Sequence, residues 1–154
     1  MYQTNIIVET PRGHREKFNY DPRKKCFYLK KVLPWGMSFP FDFGFIPDTK
    51  GQDGDPLDAL IISDLNTFVG CQVDCYLLGS IQADQIDAKG EKIRNDRYLF
   101  APVATWPSHE NISTKLLSEL EDFFINYNKA EGKTFIPLGF ASEREAVLSI
   151  KKSM

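Results

Sequence analysis

The spacing of the apolar residues changes its period near residue 113, and this change is the strongest constraint on the fold. Before it, short runs rich in β-branched and aromatic residues are separated by proline and glycine, which is typical of strands and turns. From Ser113 to Ala130 the apolar residues recur at helical spacing. The chain is therefore predicted to be mainly β, with helices at its C-terminal end.

The strand candidates follow one another without helical segments between them, which favours an all-β barrel over alternating β-α units. They are expected at residues 5–11, 25–33, 58–63, 71–83 and 97–105. Ser142 and Glu145 form an S-x-x-E capping box, which predicts a second, shorter helix. Since no linker or repeat interrupts the pattern, residues 1–154 are expected to form one domain.

Composition excludes several classes of function. With 19 basic and 21 acidic residues the net charge is −2, so neither nucleic acid nor an anionic membrane is an expected partner. No segment approaches the roughly 20 apolar residues of a membrane span, and the first residues lack a secretion signal. The three cysteines do not have the spacing of a metal site, and His14 and His109 lack a recognisable Ser or Cys partner. A cytoplasmic protein with reduced thiols is expected.

Three aspartates are concentrated in the stretch GQDGDPLDALIIS, at Asp53, Asp55 and Asp58. A solvated acidic turn is one interpretation, because Gly51 and Pro56 suit a turn. An EF-hand loop is excluded because Asp58 stands where that loop requires glycine. An aspartyl-phosphate phosphatase is disfavoured because the strand follows the aspartates. The remaining interpretation is a phosphoryl-transfer site with several Mg²⁺ ions, since Mg²⁺ prefers carboxylate oxygens.

An anionic substrate held by metal ions also needs cationic side chains. The chain offers Lys17, Lys30, Lys31 and Arg97 at the ends of candidate strands. Lysines in such places also protect strand edges without any catalytic role. Their coincidence with the acidic cluster is what favours a site.

The stretch DGDPLDA resembles the signature of the soluble family I inorganic pyrophosphatases, D-[SGDN]-D-[PE]-[LIVMF]-D-[LIVMGAC], at all seven positions. Further similarity extends over residues 5–140 and is found in IIVETP, EKFNYD, SFPFDFGFIPDT, GSIQADQ and FFINYNKAEGK. The resemblance implies a five-stranded, OB-like twisted β-barrel with C-terminal helices. It also implies hydrolysis of pyrophosphate to two orthophosphates, with several Mg²⁺ ions, or Mn²⁺ or another divalent ion, as cofactor.

The resemblance assigns roles to particular residues. Asp53 and Asp58 are expected to be metal ligands, and Glu9 to serve a further metal ion. Asp55 is expected to orient the attacking water and accept its proton. The substrate's phosphate oxygens are expected to be bound by cations and one hydroxyl: Lys17, Lys31, Lys133 and Tyr127.

The chain also departs from the family's pattern, which indicates a divergent subgroup of the bacterial type. The family's usual side chains are replaced at Phe39, Phe43, Asn19, Lys31 and Asn128. In the stretch where the family has two metal-binding aspartates, a neutral amide stands at Gln85 and at Asn95, and the catalytic lysine becomes Arg97. Asp84 and Asp96 are the neighbouring carboxylates that could serve the metal instead.

Two other functions stay open because of these changes. The protein could hydrolyse a different small phosphoanhydride, or it could bind pyrophosphate or metal without turnover. Relatives often form trimers or hexamers, so a homo-oligomer is expected. Trp35 and Trp106 are expected in the core, with an interface position as the alternative.

Overall fold

The computed structural model describes residues 1–105 and 111–154, so the predictions for Trp106 and His109 lie outside the described residues. Strands dominate the described chain, and the two helices lie in its C-terminal part. In chain order the elements are β1 (Gln3–Thr10), β2 (Glu16–Asp21), β3 (Cys26–Val32), β4 (Asp42–Phe45), β5 (Asp58–Ile61), β6 (Gln72–Ile86), β7 (Lys92–Arg94), β8 (Arg97–Pro102), α1 (Thr114–Ala130), β9 (Thr134–Ser142) and α2 (Glu143–Lys152).

Five strands pair in a closed ring. β1 pairs with β4, β4 with β5, β5 with β8, β8 with β6, and β6 returns to β1. All of these pairs are antiparallel except β5–β8, which is parallel. β7 and β9 extend the sheet along β6, and β2 and β3 form a separate two-stranded hairpin. The predicted five-stranded, mainly β fold with C-terminal helices is confirmed.

Four strands were not predicted, and each is polar, very short or interrupted by proline and glycine. The sequence of β2, EKFNYD, is largely polar, and every one of its residues is only partly buried. β4 and β7 have only four and three residues. β9 contains Pro137 and Gly139, and its register with β6 shifts between Gln82 and Ala83. Proline and glycine at an irregular position on an edge strand are tolerated, although they read as breakers in a sequence.

Both predicted helices are present, and each begins with a serine cap, of which the Ser142 cap was predicted. The Ser113 hydroxyl accepts a hydrogen bond from the Leu116 N–H (3.1 Å), and the Ser142 hydroxyl accepts one from the Glu145 N–H (3.4 Å). Each bond satisfies a backbone donor that the first helical turn leaves unpaired. Neither α1 nor α2, the helices of the described part of the chain, is long and apolar enough to cross a bilayer.

The buried apolar side chains form two clusters, and each helix covers one of them. α1 contributes the apolar stripe of its buried face to a cluster that includes Phe39 and Phe43. α2 contributes Ala146 and Ile150 to the second cluster, which the strands of the ring complete. Burial of these apolar faces is the main stabilising contribution to the packing of the helices on the sheet.

Trp35 is not a core residue, so that prediction is wrong. Its side chain is 86% exposed directly after the β2–β3 hairpin. The guanidinium of Arg15 stacks on its ring at 3.6 Å from the centroid, which covers one face of the indole. The core places next to it are filled by Leu33 and Phe39 instead.

Candidate active site

A polar cavity opens where the ends of β1, β2, β5, β6 and β8 meet the C-terminal end of α1. Most of the predicted site residues line it, although they come from distant parts of the chain. The lining residues are Glu9, Lys17, Asn19, Lys30, Phe43, Asp53, Asp55, Asp58, Gln85, Asn95, Arg97, Tyr127, Asn128, Glu131 and Lys133.

The acidic stretch forms a tight turn at the edge of this cavity. The Asp53 carboxylate accepts a hydrogen bond from the Asp55 N–H (3.0 Å), and the Gly51 N–H donates to the Asp55 carbonyl (2.7 Å). Gly54 has a φ of 86°, a conformation that favours glycine. The turn leads into Asp58 at the start of β5, so all three aspartates reach one cavity.

Asp58 is paired with Arg97, the cation that replaces the family's catalytic lysine. Asp58 and Arg97 are register partners of the parallel strands β5 and β8, and Arg97 Nη1 lies 3.2 Å from Asp58 Oδ2. The Arg97 side chain is only 3% exposed. Burial raises the pKa of Asp58, and the negative charge of Asp53 adds to this effect, while Arg97 opposes it.

Glu9 reaches the cavity from β1 and is held by a backbone donor of the β2 strand. Its carboxylate accepts a hydrogen bond from the Tyr20 N–H (2.8 Å). Burial raises the pKa of Glu9 to about 7, and the charge of Asp58 acts in the same direction. The accumulated negative charge on this side of the cavity is therefore unfavourable, which a cation would relieve.

The opposite side of the cavity holds a group of lysines around one carboxylate. Lys17 Nζ lies 3.6 Å from Glu131 Oε1, Lys133 Nζ lies 3.7 Å from Glu131 Oε2, and Lys31 Nζ contacts Oε1 as well. Burial alone would raise the pKa of Glu131, but Lys17, Lys31 and the neighbouring Tyr127 lower it to about 2. Burial and the charges of nearby lysines lower the pKa of Lys17 to about 8.

Glu131 is the functional residue that sequence reasoning missed. It is the C-cap of α1, one position beyond the helix. The only sequence signal was its place in the stretch NKAEGK, four residues after Tyr127 and two before Lys133. Residues four apart lie on one helical face, so this spacing places Glu131 beside the tyrosine.

Tyr127 presents a buried hydroxyl at the centre of the lysine group. The Nζ atoms of Lys17 and Lys31 lie 5.1 and 5.7 Å from the centroid of its ring. Burial raises the pKa of the Tyr127 phenol, so the hydroxyl keeps its proton. Glu131 is the acceptor beside this hydroxyl, but among the described residues the contact does not reach good hydrogen-bond geometry, so the hydroxyl is available to a ligand.

Asn95 and Asp96 form the two-residue connection between β7 and β8, and Asn95 lines the cavity whereas Asp96 does not. The Asp96 carboxylate accepts hydrogen bonds from the Ala83 N–H (3.0 Å) and from the Arg94 side chain. Asp84 forms an ion pair with Lys92 at 3.6 Å. Neither Asp84 nor Asp96 is a lining residue, so the structure does not bring these two predicted ligands to the site.

The donor chemistry of the remaining residues fits Mg²⁺. Glu9, Asp53, Asp55 and Asp58 supply only carboxylate oxygens, which are the protein ligands that Mg²⁺ prefers. In the described residues, no three acidic, His or Cys side chains are already gathered as a complete metal site.

Comparison with known proteins identifies the family to which the chain belongs. Residues 6–154 match the family model described as inorganic pyrophosphatase. The chain is 34% identical to the inorganic pyrophosphatase of Methanosarcina acetivorans over 97% of this chain and 89% of the relative. It is 32% identical to the inorganic pyrophosphatase of Synechocystis over 95% of this chain and 86% of that relative.

Solved structures give the same result. The inorganic pyrophosphatases of Coxiella burnetii and Thermus thermophilus both align with a TM-score of 0.86 at 26% identity. In both cases 98% of this chain is covered, together with 92% and 88% of the other chains. The chain belongs to the inorganic pyrophosphatase family.

Proposed function

We propose that this protein hydrolyses inorganic pyrophosphate to two orthophosphates. The observation that carries the proposal is a single cavity with carboxylates on one side and lysines on the other. A substrate with two linked phosphates needs both, because its charge must be balanced while a nucleophile is delivered to phosphorus. Membership of the family and the names of the relatives support the same reaction.

Asp53, Asp58 and Glu9 are the proposed Mg²⁺ ligands, and we leave Asp84 and Asp96 out of this set. Bound divalent ions lower the pKa of water and neutralise phosphate charge. The raised pKa values of Asp58 and Glu9 support the assignment, because a cation would favour the ionised form of both carboxylates. Several ions are proposed, and Mn²⁺ is expected to replace Mg²⁺ at the same oxygens.

Asp55 is the proposed general base. The turn that fixes its backbone places its carboxylate between the two ligand aspartates in sequence and at the edge of the same cavity. It would orient the attacking water and accept its proton. A general base of this kind contributes about 10²–10⁴-fold to a rate.

The cationic residues are proposed to bind the phosphate oxygens. Lys17, Lys31 and Lys133 already converge on one anionic group, the Glu131 carboxylate. Tyr127 would donate its hydrogen bond to a phosphate oxygen, and Arg97 would neutralise charge from the other side. Cations aimed at the leaving phosphate stabilise the charge that develops there in the transition state.

The first test is orthophosphate release from pyrophosphate by the purified protein, with Mg²⁺ titrated and a nucleoside triphosphate as the control substrate. Metal-dependent release from pyrophosphate alone is expected. Release from the triphosphate alone would instead indicate that the protein hydrolyses another phosphoanhydride. Phe43, which lines the cavity, lacks the hydroxyl of the family's usual tyrosine and would leave space for such a substrate. Tight binding of pyrophosphate without any turnover would favour a binding protein, which the neutral Gln85 and Asn95 make conceivable.

We also propose a homo-oligomer, a trimer or hexamer, with one domain per chain and a cytoplasmic location. The β2–β3 hairpin and the residues directly after it expose Tyr28, Leu29, Val32 and Trp35, an apolar surface that an interface would cover.

The three cysteines are unpaired, as in a reducing compartment. Light scattering measures the mass in solution, and a single cooperative unfolding transition is expected of one domain.

A further inference from the structure

We infer that the Arg97 guanidinium is a resident cation that balances Asp58 and excludes divalent ions from the side of the cavity formed by Gln85 and Asn95. Metal ions are then confined to the side formed by Glu9, Asp53, Asp55 and Asp58. This inference rests on the proposed function, because it specifies how the proposed metal site is bounded.

The guanidinium is held in one position by three groups. Nη1 lies 3.2 Å from the Asp58 carboxylate and donates to the Asn95 carbonyl at 2.8 Å. Nη2 donates to the Gln85 side-chain oxygen at 3.2 Å. A planar guanidinium that engages several acceptors at once is pre-organised and loses little freedom when a ligand binds.

Aromatic packing prevents this cation from moving aside. The guanidinium carbon lies 5.0 Å from the ring centroid of Phe124 and 5.4 Å from that of Phe135. The side chain is 3% exposed, so the charge is held away from solvent. A divalent ion placed at Gln85 and Asn95 would therefore sit beside a fixed positive charge.

The two amides are arranged for the arginine. The Gln85 side-chain oxygen accepts hydrogen bonds from Arg97 and from the Asn95 amide at 3.1 Å. The backbone carbonyl of Asn95 accepts a hydrogen bond from the guanidinium, and the Asn95 side-chain N–H₂ donates to Gln85. A metal ion at this place would have to displace these bonds, and Gln85 and Asn95 themselves offer it only neutral amide groups in exchange.

The charge balance of the lining residues agrees with fewer metal ions. Five lining residues are carboxylic acids and four are lysine or arginine, so the fully ionised cavity carries a formal charge of −1. Aspartate or glutamate at positions 85 and 95 would bring it to −3. The amides therefore reduce the number of positive charges that must come from solution.

The test counts Mn²⁺ ions bound per chain, from the electron paramagnetic resonance of free Mn²⁺, without any substrate. The triple variant Q85E/N95D/R97Q is expected to bind one Mn²⁺ more than the wild-type protein. Equal numbers would overturn the inference. Arg94 is the matched control, since it pairs with Asp96 outside the cavity, and R94Q is expected to bind the wild-type number.

A second variant covers the case in which the triple variant does not fold. R97Q alone removes the resident charge and is expected to tighten Mn²⁺ binding about tenfold, whereas unchanged affinity would overturn the inference. Orthophosphate release by the wild-type protein is measured separately. If the wild-type protein releases orthophosphate but the wild type and the triple variant bind equal numbers of Mn²⁺ ions, only this inference fails. If the triple variant binds more Mn²⁺ but the wild-type protein releases no orthophosphate, the proposed function fails.

Discussion

Lys17 and Lys31 face each other as register partners of the β2–β3 hairpin, and both ammonium groups contact the same carboxylate, Glu131. Like charges directly opposite on neighbouring strands are destabilising. Glu131, at the end of α1, offsets that repulsion and joins the hairpin to the helix. One carboxylate therefore holds two proposed substrate ligands together, and of these two lysines Lys17 lines the cavity.

Replacing this carboxylate should cost stability. Glu131→Gln leaves the Lys17 and Lys31 charges close together without a counter-ion, so we expect the free energy of unfolding to fall by about 3 kcal/mol. Urea denaturation followed by circular dichroism measures the change. Glu119 lies exposed on the same helix, and Glu119→Gln is expected to change stability by less than about 0.5 kcal/mol.

The same residue predicts a pH dependence of stability in acid. The pKa of Glu131 is about 2 in the folded chain, against an ordinary value of 4.5. A depressed carboxyl pKa contributes stability that is complete above pH 4.5 and disappears as the pH falls through about 2, in total about 3 kcal/mol. The free energy of unfolding, measured from pH 6 to pH 2, should show this loss. In the Glu131→Gln variant the contribution of Glu131 to the pH dependence should be absent.

Lys17 predicts a pH dependence of activity in base. Its pKa of about 8 means that the ammonium loses its proton just above neutrality. Because the charged form binds the anionic substrate, kcat/KM should fall as the pH rises through about 8. Well above that pH the decrease should approach about tenfold per pH unit. In Lys17→Arg the charge persists at every accessible pH, so this descending limb should disappear. An unchanged limb would assign it to another group.

Asp55 predicts a separation of turnover from metal binding. Asp55→Asn removes the proposed proton acceptor and keeps Asp53 and Asp58, so kcat is expected to fall by about 10²–10⁴-fold. Mn²⁺ binding, measured by calorimetry, is expected to stay within about threefold of wild type. Asp64 lies in the exposed loop that follows β5, and Asp64→Asn should keep full activity. Wild-type turnover in the Asp55 variant would contradict the assignment.

Gly44 predicts a purely steric effect on the fold. A Cβ atom at this position of β4 would lie 1.9 Å from the carbonyl oxygen of Ile7 in β1. Gly44→Ala must therefore separate two paired strands of the ring, and we expect a loss of about 3 kcal/mol or more. Thermal unfolding measures it. A melting temperature within about 2 °C of wild type would show that β1 yields at this point.

The sequence predicted those parts of the site that are local. Asp53, Asp55 and Asp58 were found because the motif is contiguous and its turn is fixed by neighbouring residues. The Ser142 cap was predicted for the same reason, since a cap depends on three or four consecutive residues.

Features that depend on pairing between distant strands were not predicted. The Asp96 carboxylate is held by the Ala83 N–H of the distant strand β6 and by the Arg94 side chain, and the contact with β6 cannot be read from the spacing within the stretch. The lysine group around Glu131 requires a hairpin and a helix end that lie about 100 residues apart to meet. The polar strand β2 was missed because its burial comes from tertiary contacts rather than from its own composition.

The parallel pairing of β5 with β8 has a consequence for how the protein folds. A parallel connection cannot be a tight turn, and here the whole of β6 and β7 separates Asp58 from its partner Arg97. Contacts between such distant residues form late, because the entropy of closing a long loop must first be overcome. A chain that has formed its hairpins and helices but not closed this pair would have Asp58 without its counter-ion. Recovery of catalysis during refolding would therefore mark the last step of ring closure rather than the first appearance of secondary structure.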